Sequence, residues 1–147
     1  MRLPSVFLAL MLTPCAILPA QVQTADARMD AYLPLLEGRR VGVVCNHTAA
    51  LPDGHSGFTH LIDTLIASGI DVAAAFGPEH GFRGDLPDGE KSEDGRDPRT
   101  GIPVYSLYGT HIKPTAAQLD GLEAMVFDIQ DVGIRCYTYL STLILIM

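Results

Sequence analysis

Short apolar runs alternate with amphipathic stretches along the chain. Arg40 to Asn46 (Arg-Val-Gly-Val-Val-Cys-Asn) and Ile70 to Phe76 are continuous runs of the length that a strand buried on both faces requires. Val104 to Leu107 and Ala124 to Ile129 predict a third and a fourth strand. Between the first two strands lies a polar, Gly-bearing loop and then Thr59 to Ser68, where Leu61, Ile62, Leu65 and Ile66 recur at helical spacing and Gly69 supplies a stop. Ala25 to Leu36 (closed by Gly38), Thr115 to Leu122 and the segment from Tyr137 onward complete the predicted helices. Gly77 to Ile102 reads as one long loop, and loops of that length tend to carry function.

Strands separated by helices predict an α/β domain, an open parallel sheet flanked by helices. Right-handed crossovers then bring every strand's carboxyl end to one edge. Ligands of open α/β sheets bind beyond that edge. The residues there are Asn46-His47-Thr48, Gly77-Pro78-Glu79-His80-Gly81, Tyr108-Gly109 and Asp128-Ile129-Gln130-Asp131, so four stretches bring polar side chains to one rim.

Composition narrows the partners. The net charge of −7, from 17 acids and 10 Lys plus Arg, offers no basic stripe for nucleic acid or for an anionic membrane. Met1 to Ala20 has a positive n-region at Arg2 and an apolar h-region from Val6 to Leu12, and reads as an export signal. The mature domain is then residues 21–147, periplasmic or secreted, with no stretch of about 20 apolar residues to span a membrane. Cys45 and Cys136 read as two small buried hydrophobes, with a disulfide as the alternative in an oxidising compartment.

The rim residues suggest chemistry. Glu79 lies between Pro78 and His80, in a bend that Pro and Gly would fix, with Phe76 and Phe82 near enough to desolvate a carboxyl into a general acid; alternatively it accepts backbone N–H bonds within the turn. Asp128 and Asp131 read either as a second carboxylate and sugar-hydroxyl ligands, or as helix caps. Arg83 and Arg135 have the forked donors that bind a ligand carboxylate, or they form surface ion pairs. Asn46 either bonds a ligand or holds a turn. No metal-ligand spacing is present, although His47, His80 and Asp128 would be the donors of a metal-dependent alternative. The glycines match neither a dinucleotide fingerprint nor a P-loop, and there is no Gly-x-Ser-x-Gly elbow. No cofactor is expected.

Three strings carry a family resemblance: Phe76-Gly-Pro-Glu-His-Gly-Phe-Arg-Gly84, Gly101-Ile-Pro-Val-Tyr-Ser-Leu-Tyr-Gly109 and Phe127-Asp-Ile-Gln-Asp-Val-Gly-Ile-Arg135. With Val41-Gly-Val-Val-Cys-Asn-His-Thr48, they resemble the exo-β-N-acetylmuramidases of the NamZ-like family, from about Leu35 to Thr142. The resemblance implies a Rossmann-like N-terminal domain followed by a smaller C-terminal domain, with the pocket between them. It implies hydrolysis of terminal N-acetylmuramic acid from the non-reducing ends of peptidoglycan fragments. The family's proposed catalytic glutamate matches Glu79. Asn46, His80, Arg83, Asp128, Gln130, Asp131 and Arg135 are then expected substrate-binding positions, and the partners are muropeptides or disaccharides.

Family members are longer. The resemblance fades after Thr142, so the chain reads as a truncated N-terminal part, with the sheet incomplete at its C-terminus and the second domain absent. An exposed apolar edge would favour oligomerisation or poor solubility. Residues 21–147 alone are expected to have little or no activity, which turnover of a muramic-acid glycoside would contradict. A non-catalytic muropeptide-binding module is the remaining alternative.

Overall fold

The computed structural model describes residues 22–84 and 93–147; the expected export signal lies outside them. In chain order the elements are α1 (Met29–Leu36), β1 (Arg40–Cys45), β2 (Ala50–Pro52), β3 (Phe58–His60), α2 (Leu61–Ala67), β4 (Asp71–Gly77), β5 (Gly95–Arg96), β6 (Pro103–Ser106), α3 (Ala116–Leu119), β7 (Ala124–Asp128) and α4 (Tyr139–Ile146).

Five strands form one sheet in the order β5-β6-β4-β1-β7. Four of them, β6, β4, β1 and β7, run parallel. The expected all-parallel sheet is corrected at one edge, where β5 pairs antiparallel with β6. The long loop from Gly77 to Ile102 therefore contains a strand. Its two residues are too few to show any periodicity in the sequence.

The four parallel strands were predicted because both of their faces are covered. Val41, Val43 and Cys45 belong to a core shared with Leu36, Leu61, Ile62 and Leu65 from α1 and α2. Val44, Ala74 and Phe76 belong to the opposite core, with Leu122, Met125, Phe127 and Ile146 packed against it. Gly42 faces this second core, where a Cβ would meet Leu122 Cδ1 at 2.8 Å and Met125 Sδ at 2.9 Å. A Gly-to-Ala change there would force neighbours out of their rotamers, at about 1–3 kcal/mol.

Predicted helix ends were too long. Thr59 and His60 belong to a hairpin in which β2 and β3 pair antiparallel, so α2 begins only at Leu61. Asp53 builds the hairpin loop: its Oδ1 accepts from the N–H groups of His55 and Gly57, at 2.7 and 3.0 Å. His60 starts α2. Its Nδ1 accepts from the Ile62 N–H at 3.3 Å and its Nε2 lies 3.1 Å from the Asn46 carbonyl, which assigns the proton to Nε2. Burial lowers the His60 pKa, so the neutral ring is the folded form.

The connectivity locates the ligand-binding crevice. From β1 the chain builds outward through β4 to β6, then returns to place β7 on the other side of β1. Numbered along the parallel strands alone, the order is 3-2-1-4, and the direction reverses between β1 and β7. At such a switch point the connections leave to opposite faces and a crevice opens beyond the strand tips. Cys45 is in register with Asp128, and Gly77 with Ser106, so the carboxyl ends share one edge, as the sequence predicted.

Candidate active site

Past β4 the chain folds into a tight turn. The Gly81 N–H donates to the Pro78 carbonyl at 3.1 Å, which puts Glu79 and His80 at the corners. His80 takes the left-handed position, φ 72°, where a turn of this kind usually has Gly. Backbone strain of this sort costs about 1–3 kcal/mol and gathers at functional sites. Glu79 is half-buried. The Tyr108 phenol, beyond β6, is held above its ordinary pKa by a hydrogen bond to the Glu79 carboxylate and by its charge.

Of the hollows at this edge, two adjoin the Glu79 turn. One, of about 460 Å³, lies beyond the tips of β1 and β7 and is bounded by Asn46, His47, Thr48, Gln130 and Val132. The other, of about 290 Å³, is bounded by Glu79, Cys136 and Thr138. His80, Tyr137 and Tyr139 line both, so the two are neighbouring parts of one depression. Among the described residues, Glu79 is the one carboxylate in its walls. Gly84 also lines it because a Cβ there, at φ 72°, would stand 2.7 Å from the His47 ring.

A hydrogen-bond chain ties the two strand tips at the switch point. Asn46 Oδ1 accepts from the Thr48 N–H at 2.9 Å and from its hydroxyl at 2.6 Å. The Thr48 Oγ1 in turn accepts from the Gln130 N–H at 2.9 Å. Asn46 thus holds a turn while lining the larger hollow, so both readings of its side chain apply.

The structure gives the other predicted positions different surroundings. Arg83 is a structural clamp. Its Nε and Nη2 donate to Asp97 at 3.0 and 2.8 Å, and its Nη1 and Nη2 donate to Asp63 at 3.2 and 3.0 Å. It lies 4.7 Å from the centre of the Phe82 ring, and four of its five N–H donors are spent on the two aspartates, so the ion-pair alternative is the one the fold builds, partly buried rather than on the surface. Arg135 is exposed and lines neither hollow. Asp131 is also exposed; its Oδ1 accepts from the Gly133 N–H at 2.6 Å, which makes it a turn former rather than a helix cap.

Asp128 leaves the edge on the α1 side. Burial, and then the charge of Asp26, push its pKa up to about 6, and its Oδ2 is buried without a hydrogen-bond partner. The fold therefore favours the neutral acid. Stability is unaffected below about pH 4, where both states are protonated, falls between about pH 4 and pH 6, and is level above that, where both are ionised. Two pH units correspond to about 3 kcal/mol in a dry site, and solvent reaching this half-buried group reduces that to about 1 kcal/mol. Asp128→Asn is expected to raise the unfolding midpoint by about 4 °C at pH 8 and to match the parent at pH 4. Equal shifts at both pH values would contradict this.

The cysteines and histidines have the following positions. Cys45 is buried and free, and burial raises its thiol pKa, whereas Cys136 is free but exposed, lining the hollow beside Glu79. Cys136 is therefore not the second buried hydrophobe that the sequence reading expected. Among the described residues, no group of three or more His, Cys, Asp or Glu side chains is placed to hold a metal ion, so His47, His80 and Asp128 are not assembled as ligands. No helix among them is long and apolar enough to cross a membrane.

Sequence reasoning missed Tyr137 and Tyr139. Both were absorbed into a predicted helix, but α4 starts at Tyr139, and the two rings meet edge-on at 5.6 Å between centres. Their period-two spacing was the available signal, because a helix would have sent them to different faces.

An α/β domain with a carboxylate and two tyrosines at its switch-point crevice has the layout of a ligand-binding or catalytic half-site. A family profile described as "Exo-beta-N-acetylmuramidase NamZ, N-terminal" matches residues 41–147, and the chain belongs to that family. It is 40% identical over 125 residues to the peptidoglycan beta-N-acetylmuramidase NamZ of Bacillus subtilis (strain 168), which covers 84% of this chain and 29% of the relative. Two crystal structures of DUF1343 family proteins from Bacteroides fragilis NCTC 9343 share its fold. One is 41% identical with a TM-score of 0.67, over 80% of this chain and 28% of the other. The second is 34% identical with a TM-score of 0.66, over 83% and 29%. The chain thus spans less than a third of the length of these relatives.

Proposed function

We propose that this domain supplies the proton donor and one wall of the sugar site of an exo-β-N-acetylmuramidase. The enzyme would release terminal N-acetylmuramic acid from the non-reducing ends of peptidoglycan fragments. The observation that carries the reading is Glu79: among the described residues the one carboxyl of the crevice, held in a strained turn beside tyrosines and amide and hydroxyl groups. In the reaction the Glu79 carboxyl gives its proton to the glycosidic oxygen as the anomeric C–O bond breaks. Water then adds hydroxide to the anomeric carbon and returns a proton, so the sum is hydrolysis. His80, Gln130, Tyr137 and Tyr139 bound the sugar, and Tyr108 hydrogen-bonds the acid.

Export fits this reading, since the substrate lies outside the cytoplasm and Met1 to Ala20 has the pattern of a signal segment. The test uses a full-length enzyme carrying this domain and the disaccharide N-acetylmuramyl-N-acetylglucosamine. Free N-acetylmuramic acid should appear, with no cleavage inside longer glycan chains. Internal cleavage, or no release of the monosaccharide, would overturn the proposal.

A further inference from the structure

Asn46 is completely buried, at 0% exposure, although its side chain lines the larger hollow. Each end of the residue is anchored. The backbone carbonyl is held by His60 Nε2, and Oδ1 takes both donors of Thr48. A hydroxyl has one proton, and that of Thr48 is committed to Asn46 while its lone pair accepts the Gln130 N–H. The amide therefore has one orientation: a flip would turn its NH₂ against two donors. Nδ2 is left buried with no hydrogen-bond partner. The Tyr139 phenol is the polar neighbour of this amide: burial is the larger influence and raises its pKa, while hydrogen bonding from Asn46 pulls it the other way.

Unpaired buried donors are few in native domains, and each asks for a partner that the free protein does not provide. Nδ2 can only donate. Its natural complement is an oxygen that can only accept, and the strongest such acceptors on the terminal sugar are the acetamido carbonyl and the lactyl carboxylate, the ring and ether oxygens being weaker. A sugar hydroxyl would bring a further proton that must itself find an acceptor.

We propose that Asn46 Nδ2 is the donor that recognises one of these acceptor oxygens, and that Thr48 is the positioning residue that aims it. This rests on the muramidase reading. Tyr139, whose phenol neighbours this amide, lines the same hollow.

The experiment uses the full-length enzyme carrying this domain and three variants. Thr48→Val removes the hydroxyl with little change of shape, Thr48→Ser keeps it, and Asn46→Asp replaces Nδ2 by an acceptor. N-acetylmuramic acid, muramic acid and N-acetylglucosamine are measured as competitive inhibitors, together with KM and kcat on the disaccharide. Thr48→Val and Asn46→Asp should weaken N-acetylmuramic acid about 10- to 100-fold and act mainly on KM, while Thr48→Ser stays within a few-fold of the parent. If the acetamido carbonyl is the partner, muramic acid binding is unchanged by the variants. If the lactyl carboxylate is, N-acetylglucosamine binding is unchanged. Either pattern supports the proposal. Unchanged inhibition in folded variants, or equal weakening of all three sugars, would overturn it while leaving the muramidase reading intact. A parent enzyme that releases no N-acetylmuramic acid would bring down both. Should Asn46→Asp lower the unfolding midpoint, the comparison of Thr48→Val with Thr48→Ser decides alone.

Discussion

Replacing Glu79 by Gln in a full-length enzyme carrying this domain should lower kcat/KM on the natural disaccharide by about 10²- to 10⁴-fold, the range general acid catalysis supplies. Gln keeps the shape of the side chain and can still accept a hydrogen bond from Tyr108, but it has no proton to give. A poor leaving group such as a sugar alkoxide cannot depart without one. No other carboxylate among the described residues lines the two hollows, so none of them is placed to take over. The unfolding midpoint should stay within about 0.5 kcal/mol of the parent, as for other changes away from the core. A variant retaining a tenth or more of the parent's activity would contradict the assignment.

The largest effect on stability is expected at Arg83. Asp97 is 1% exposed; Arg83 provides two of its bonds, Thr100 gives two more from its N–H and hydroxyl, and the Arg99 backbone adds another. Burial alone would raise the Asp97 pKa. The bonds from Arg83 and Thr100 overcome this and hold it well below the usual carboxylate range. Removing the guanidinium leaves a buried charge without its counter-ion, which costs about 3–5 kcal/mol. That is a large share of the stability of a typical domain, about 5–15 kcal/mol. Asp63 suffers less, because Arg99 Nη1 remains 3.1 Å away.

Arg83→Ala should therefore unfold at markedly lower urea, and Arg83→Ala with Asp97→Asn should recover part of the loss by neutralising the stranded carboxylate. The sign with pH follows from the lowered folded-state pKa. The contribution is complete above the unfolded value near pH 4 and is lost as acid protonates Asp97 below it. A loss under 1 kcal/mol in Arg83→Ala would mean that the clamp does not hold the fold together. Because Phe82 and Arg83 directly follow the Glu79 turn, the clamp also fixes the base of that turn to α2.

Which features the sequence made legible depends on what stabilises each. The four parallel strands show as apolar runs because both faces of the sheet are covered, and the shared rim follows from crossover handedness alone. The hairpin of β2 and β3 and the two-residue β5 are short pairings fixed by tertiary context, so no period reveals them. At the site, Glu79 and Asn46 stand at strand tips and could be read from position. For Arg83 an ion pair was one of the two readings, but its partners were hidden, since Asp97 and Asp63 lie 14 and 20 residues away and only the folded chain joins them. Thr48 was legible in principle: Asn-x-Thr at a strand end is the spacing at which an Asx turn closes on a hydroxyl. Asp128 misled because a strand-tip carboxyl reads as a rim group, whereas its side chain turns towards Asp26 and the α1 face.

The proton-donor role of Glu79 is tested most directly by changing the leaving group. The parent and Glu79→Gln enzymes would each be given the disaccharide and a dinitrophenyl muramic-acid glycoside, whose phenolate departs without protonation. The account predicts a loss of about 10²-fold or more on the disaccharide and near-parental cleavage of the aryl glycosidic bond in the first turnover. Equal losses on both substrates, or no loss on either, would contradict it.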